Sequence, residues 1–171
     1  MRNYSFCLLL LLSACSGIPH GVTPVGGFEL NRYLGKWYEI ARLDHSFERG
    51  LTDVSAEYSL REDGGVRVIN SGYDSDDRQR RSAEGKAYFV NGSDVGQLEV
   101  SFFGPFYGAY NIIALDKLDY RYVMIAGNSH EYLWILARTP TMDRPTLDGL
   151  VDQAKALGFP VQDLIFLQPT P

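Results

Sequence analysis

The sequence predicts an all-β domain, with about eight short strands forming an up-and-down barrel or a sandwich, followed by one helix. Three observations predict it. Aromatic residues make up 13% of the 171 residues, and 17 glycines stand against 8 prolines, a mixture of strand formers and turn formers. Short apolar runs alternate with turn chemistry along most of the chain. A single helical stripe follows the last of them. At 45% hydrophobic and 22% charged residues the composition is that of one globular domain. The net charge of −5 excludes the basic face that a nucleic-acid binder needs.

The chain opens on an export signal. Arg2 is a positive start, and Tyr4 to Leu12, with leucines from 8 to 12, is an apolar stretch too short to span a bilayer. It ends in Leu12-Ser13-Ala14-Cys15, which resembles a bacterial lipobox. Residues 1–14 are therefore expected to be a lipoprotein signal peptide, with Cys15 the lipidation site and new N-terminus. Cys7 leaves with the signal. An acylated Cys15 leaves no thiol, which excludes a disulfide, a zinc–thiolate site and a cysteine nucleophile together. In the resembling lipoproteins that cysteine carries three fatty chains, palmitate among them. At about 0.8 kcal/mol per buried methylene, two chains already anchor stably. Ser16 stands where an Asp would favour retention at the inner membrane, so the resemblance implies the outer membrane. Residues 15–30, rich in Gly and Pro, read as a tether that docks through Val25 and Phe28. The domain proper is read as 31–171.

Strands are predicted at Trp37–Arg42, Val54–Leu60, Val66–Gly72, Ala83–Val90, Gln97–Phe103, Ala109–Asp116, Tyr120–Ala126 and Tyr132–Arg138. Glu-Asp-Gly-Gly at 62–65, Asn-Gly-Ser-Asp at 91–94, Gly104-Pro105 and Gly-Asn-Ser at 127–129 supply the turns. Alternation sets the faces where charge marks the outside. Arg67 out puts Val66, Val68 and Asn70 in; Glu99 out puts Leu98, Val100 and Phe102 in. The last two strands are apolar on both faces, so something must cover them. The cover is the helix at Pro145–Leu157, whose Leu147, Leu150, Val151, Ala154 and Leu157 form one stripe. Pro145 suits its first turn, and Gly158 stops it. Val161–Leu167 is predicted as a ninth strand.

Gly35-Lys36-Trp37 at the start of the first strand, with Arg138 ending the eighth, resembles the lipocalin family. Leu133 to Pro140 resembles a further conserved lipocalin segment, and Tyr58-Ser59-Leu60 and Val100 to Tyr107 add to the likeness. The likeness is nearest to the bacterial outer-membrane lipoproteins related to apolipoprotein D, and it spans Asn31 to Leu167. It implies an eight-stranded antiparallel up-and-down lipocalin barrel, one C-terminal helix packed outside and a short ninth strand. It also implies that Gly35, Trp37 and Arg138 close one end of the barrel, with the guanidinium over the indole. The family's usual Thr-Asp-Tyr turn is replaced here by Leu115 to Tyr120, with Asp116 the match.

A barrel of this size has room for one small ligand. The inward parity assigns its lining to Tyr58, Val68, Asn70, Phe89, Val100, Phe102, Tyr110, Ile112, Ile125, Tyr132, Trp134 and Leu136, with Ala56 and Ala87. Such a lining suits an acyl chain. The resemblance implies a carrier or scavenger of fatty acids or lysophospholipids, held at the outer membrane and acting in envelope maintenance or lipid storage and transport. Asp74 to Arg81 is read as a loop at the open end, its arginines either meeting an anionic head group or simply solvated. Glu39 shares the parity of Trp37, so an inward carboxylate there needs a partner. Phe106 and Tyr107 form a rim suited to a gate, a membrane contact or a homodimer.

Two rival readings remain at this level. One is a structural or interaction lipoprotein with a filled barrel and apolar surface patches. The other, less favoured, is an enzyme acting on a bound lipid. His20, His45 and His130 lack metal-ligand spacing, and no Gly-x-Ser-x-Gly or phosphate loop occurs. Asp74, Asp76 and Asp77 lack the glycine and bidentate Glu of a calcium loop. No catalytic residue, metal or cofactor is therefore expected.

Overall fold

The computed structural model describes residues 17–167; the signal peptide and Cys15 lie outside them. Eight strands close a barrel: β1 Gly35–Arg42, β2 Leu51–Leu60, β3 Val66–Asp74, β4 Gln79–Phe89, β5 Gln97–Phe103, β6 Phe106–Leu115, β7 Tyr122–Ala126 and β8 Leu133–Ala137. Each pairs antiparallel with the next, and β1 pairs with both β2 and β8, which removes the free edges. A ninth strand, β9 Ile165–Phe166, adds outside on β1. It is shorter than Val161–Leu167, because Val161–Asp163 turns as a 3-10 helix first.

The helix predicted at 145–157 forms as α2, Arg144–Ala156, after a one-turn α1 at Leu30–Tyr33. Asp143 caps α2 by accepting from the Thr146 amide at 3.0 Å. Leu150 and Ala154 are buried against the outer faces of β7 and β8, with Ile40, Met124, Leu133 and Ile135. That packing explains why the last two strands are apolar on both faces.

The barrel's inner core gathers around Trp37, Ile112, Ile125 and Leu136, all buried. Trp37 is fully buried at the base. The Arg138 guanidinium carbon stands 3.9 Å from its ring centroid, a contact worth roughly 0.5–2 kcal/mol. Arg138 also donates to three backbone carbonyls, those of Arg32, Lys36 and Tyr120. Gly35 has φ +91°, and a Cβ there would stand 3.5 Å from Arg138 Nη1. The motif's glycine thus meets a backbone need under the arginine.

The stretch read as a tether is laid against the barrel from residue 17 on. The Phe28 amide donates to Asp94 O at 2.8 Å, the Val25 amide to Ile112 O at 2.8 Å, and Asn111 Nδ2 to Gly17 O at 2.8 Å. Val25 and Phe28 both pack on the inner core, as expected, and Val22 and Ile18 join the cluster under α2. Phe28, Leu30 and Tyr33 plug the base.

Candidate functional site

The interior has an apolar floor, a polar middle and a charged group beneath the mouth. On the floor, Phe28 and Tyr33 meet Val66, Ala87 and Leu98 around a small apolar cavity that Tyr58, Val68, Val100 and Tyr110 also line. Its free room is about 10 Å³, the space of about one water molecule. In the middle, the Tyr110 hydroxyl lies 2.6 Å from that of Tyr33 and 2.7 Å from that of Tyr58. Burial pushes all three phenols above their ordinary range, Tyr58 to about 12. They remain neutral hydroxyls, able to exchange a hydrogen bond with a polar ligand atom.

Nearer the mouth, Glu39 finds a partner that strand parity hides. In a regular strand Glu39 and Arg42 point to opposite faces. A register shift between Glu39 and Ala41 breaks the alternation, and Arg42 Nη1 donates to Glu39 Oε1 at 2.6 Å, both side chains buried. Arg42 Nη2 also donates to Glu48 O at 2.9 Å and to Leu51 O at 3.3 Å, tying the loop 43–50 to the barrel. Within that loop His45 Nε2 lies 3.1 Å from Glu48 Oε2, without the alignment of a hydrogen bond. Trp134 Nε1 donates to the same oxygen at 3.1 Å. His45 stacks on Phe47 and packs against Trp134 at 5.0 Å between centroids. Arg42 Nε, a donor, and both ring nitrogens of His45 are buried and left without a hydrogen-bond partner.

Burial first, then the negative charge of Glu48, pushes the Glu39 carboxyl from 4.5 to about 8, against the downward pull of Arg42. The folded protein therefore keeps a proton on Glu39 that the unfolded chain releases near pH 4.5. The resulting stability is complete below about 4.5 and is lost as pH rises through about 8. Glu39→Gln should remove this slope. Urea unfolding of both proteins from pH 5 to pH 9 checks it: the stability difference should shift steadily in favour of the variant as pH rises.

The inward residues read from the sequence fall into three groups. Ile112, Ile125 and Leu136 are buried in the inner core. Tyr58, Val68, Val100 and Tyr110 line the cavity. Asn70, Phe89, Phe102 and Trp134 are half-buried, Phe89, Phe102 and Trp134 packing against the inner core. Tyr132 lies in the turn after β7, stacked on Trp134 and 6.3 Å from the His45 ring, so it belongs to the mouth and not to the wall. Leu30, Tyr33, Arg42, His45 and Glu48 were not singled out in the sequence for this interior. The loop expected at 74–81 is shorter: β3 runs to Asp74 and β4 starts at Gln79. Two of its three arginines are engaged with acids, Arg80 with Asp53 and Arg81 with Asp74 and Asp77, while Arg78 is exposed at the turn. Among the described residues no three His, Cys, Asp or Glu side chains converge as a metal site.

A lipocalin-like domain model matches residues 28–169. The chain is 55% identical over 159 residues to outer membrane lipoprotein Blc of Vibrio cholerae, covering 93% of each. It is 51% identical over 160 residues to the protein of the same name from Escherichia coli, covering 92% of this chain and 90% of that one. Mouse apolipoprotein D is 33% identical over 143 residues, with 80% of this chain and 75% of that one covered. In fold, insecticyanin from the tobacco hornworm superposes with a TM-score of 0.72 at 19% identity, over 90% of this chain and 87% of that one. The Gly35–Trp37–Arg138 closure, the closed barrel with α2 outside and these likenesses agree: the chain belongs to the lipocalin family, in its branch of outer-membrane lipoproteins, with apolipoprotein D as a more distant relative.

Proposed function

We propose that this lipocalin, anchored through Cys15 in the outer membrane, binds one single-chain lipid, a fatty acid or a lysophospholipid, as a carrier or scavenger in envelope maintenance or lipid storage. One observation carries the reading. Val100, Phe102, Tyr110 and Trp134 pack on the inner core yet are only half-buried, so solvent reaches apolar and aromatic surface inside a closed barrel. Covering that surface with an acyl chain is favourable by about 25 cal/mol per Å². Tyr58, Val68, Phe89, Val100, Phe102 and Tyr110 would form the wall, with Asn70. Ile112, Ile125 and Leu136 would form its foundation, and Trp134 and Tyr132 would stand where the head group leaves. The unpartnered Arg42 Nε, on the residue paired with Trp134 in the ladder, is a donor that suits a carboxylate or phosphate.

Binding here means holding, not converting: lipocalins are in general binding proteins.

The small volume of the cavity, about 10 Å³, favours a second reading, a filled barrel serving as an interaction lipoprotein. Native mass spectrometry separates the two. Residues 16–171, made without detergent and mixed with palmitoyl lysophosphatidylethanolamine, should gain the mass of one lipid per chain. A chain that stays at its bare mass across micromolar lipid would establish the filled barrel instead.

A further inference from the structure

We infer that the hydroxyls of Tyr33, Tyr58 and Tyr110 form a subsite for a hydroxyl group carried within an acyl chain, so that the barrel takes single-chain lipids hydroxylated in the tail half of the chain. This deepens the lipid-carrier reading given under the proposed function, and rests on it.

The placement comes first. The three tyrosines line one cavity together with the apolar side chains of Phe28, Leu30 and Leu98. They come from separate elements, Tyr33 from α1, Tyr58 from β2 and Tyr110 from β6, and meet through the Tyr110 oxygen, 2.6 Å from that of Tyr33 and 2.7 Å from that of Tyr58. Trp37 steadies Tyr33, its Nε1 donating to Tyr33 O at 2.8 Å. Tyr33 and Tyr58 are buried, whereas Tyr110 is half-buried, so Tyr110 is the member that a chain inside the barrel meets. The cavity lies against the plugged base, while Arg42 ends β1 at the mouth. A lipid with its head group at Arg42 therefore brings the tail half of its chain to the tyrosines.

Proton counting then gives the chemistry. Each phenol offers one proton and two lone pairs, so three protons fill at most three of the six lone pairs. Among the described residues no other group donates to these three oxygens. Lone pairs therefore stay unfilled whichever way the protons turn. Burial keeps the phenols neutral, so they complement a neutral donor and not a cation. A bare methylene chain leaves the lone pairs as they are. A hydroxyl on the chain fills one of them, and a buried hydroxyl that finds such a partner avoids the cost of being buried without one. A carboxylate has no proton to give, and it suits the unpartnered Arg42 Nε at the mouth instead.

The test uses residues 16–171, which hold every contact that closes the barrel, with hexadecanoic acid and its positional hydroxy isomers as probes. The isomers lose the same hydration on leaving water, so differences among them report the barrel. Titration calorimetry below the micelle concentration should show the affinity falling as the hydroxyl moves from the carboxyl into the chain. It should then rise about tenfold to a single maximum in the tail half. At that position the keto acid should bind several-fold more weakly than the hydroxy acid, because it brings no proton. Tyr110→Phe should erase the maximum. A steady decline without a maximum, a maximum beside the carboxyl alone, a keto acid that binds as tightly, or a maximum that survives Tyr110→Phe overturns the inference and leaves the carrier reading standing. The isomer series is read on the unsubstituted chain, so it decides even where Tyr110→Phe fails to fold. If hexadecanoic acid and all its isomers fail to bind, the carrier reading and the inference fall together.

Discussion

Trp37→Ala should cost about 3–5 kcal/mol of stability, the range for emptying a buried tryptophan site. Trp37 is 0% exposed, and little can collapse into its place. Its ring supports Tyr33, 4.9 Å away between centroids, from below, and Arg138 from outside. Its Nε1 donates to Tyr33 O at 2.8 Å, so the change also releases the residue that plugs the floor. At roughly 2–4 °C per kcal/mol for a chain of this size, the melting temperature should fall by about 10 °C. Urea unfolding should move the midpoint with little change in slope. Leu118→Ala, on an exposed side chain, should stay within about 0.5 kcal/mol and serves as the control. A Trp37→Ala protein as stable as the control would mean that the base is not closed as described.

The second large effect lies beneath the mouth. Arg42→Met should destabilise by about 3–5 kcal/mol near pH 9, because it leaves Glu39 without its buried partner and removes the hydrogen bonds to Glu48 O in the loop 43–50 and to Leu51 O at the start of β2. Glu39 is neutral below about pH 8, so the loss should shrink as pH falls. In the double variant with Glu39→Gln the buried charge is gone, and part of the loss should return. Urea denaturation of the single and double variants at pH 5 and pH 9 measures this coupling. Amide exchange in residues 43–50 should quicken in Arg42→Met whatever the pH, since the bonds to Glu48 O and Leu51 O go with the side chain.

The strands and the outer helix were legible because each carries a local signal. Turn residues punctuate the strands. Charges such as Arg67 and Glu99 mark the solvent face. The stripe from Leu147 to Leu157 has no strand reading. Two features escaped for physical reasons. Pro and Gly between residues 17 and 27 erase any period, so only Val25 and Phe28 suggested docking. The backbone bonds to Asp94, Gly96 and Ile112 that fix the segment are made to distant strands. The partner of Glu39 escaped because strand parity assumes an unbroken ladder, and the bulge after Glu39 inverts it. Tyr33 escaped for a related reason. Its hydroxyl reaches Tyr110 from a single helical turn with no face of its own, 77 residues away in sequence.

The uptake of a lipid into the barrel is tested most directly by titrating palmitoyl lysophosphatidylethanolamine into residues 16–171, free of detergent, while following tryptophan emission. Trp134 is half-buried below the mouth, whereas Trp37 is sealed at the base. The expected result is a saturable change at one lipid per chain, abolished by Trp134→Phe while the lipid still binds by mass. A flat response from protein shown to carry no lipid would contradict the carrier reading and leave the filled barrel in its place.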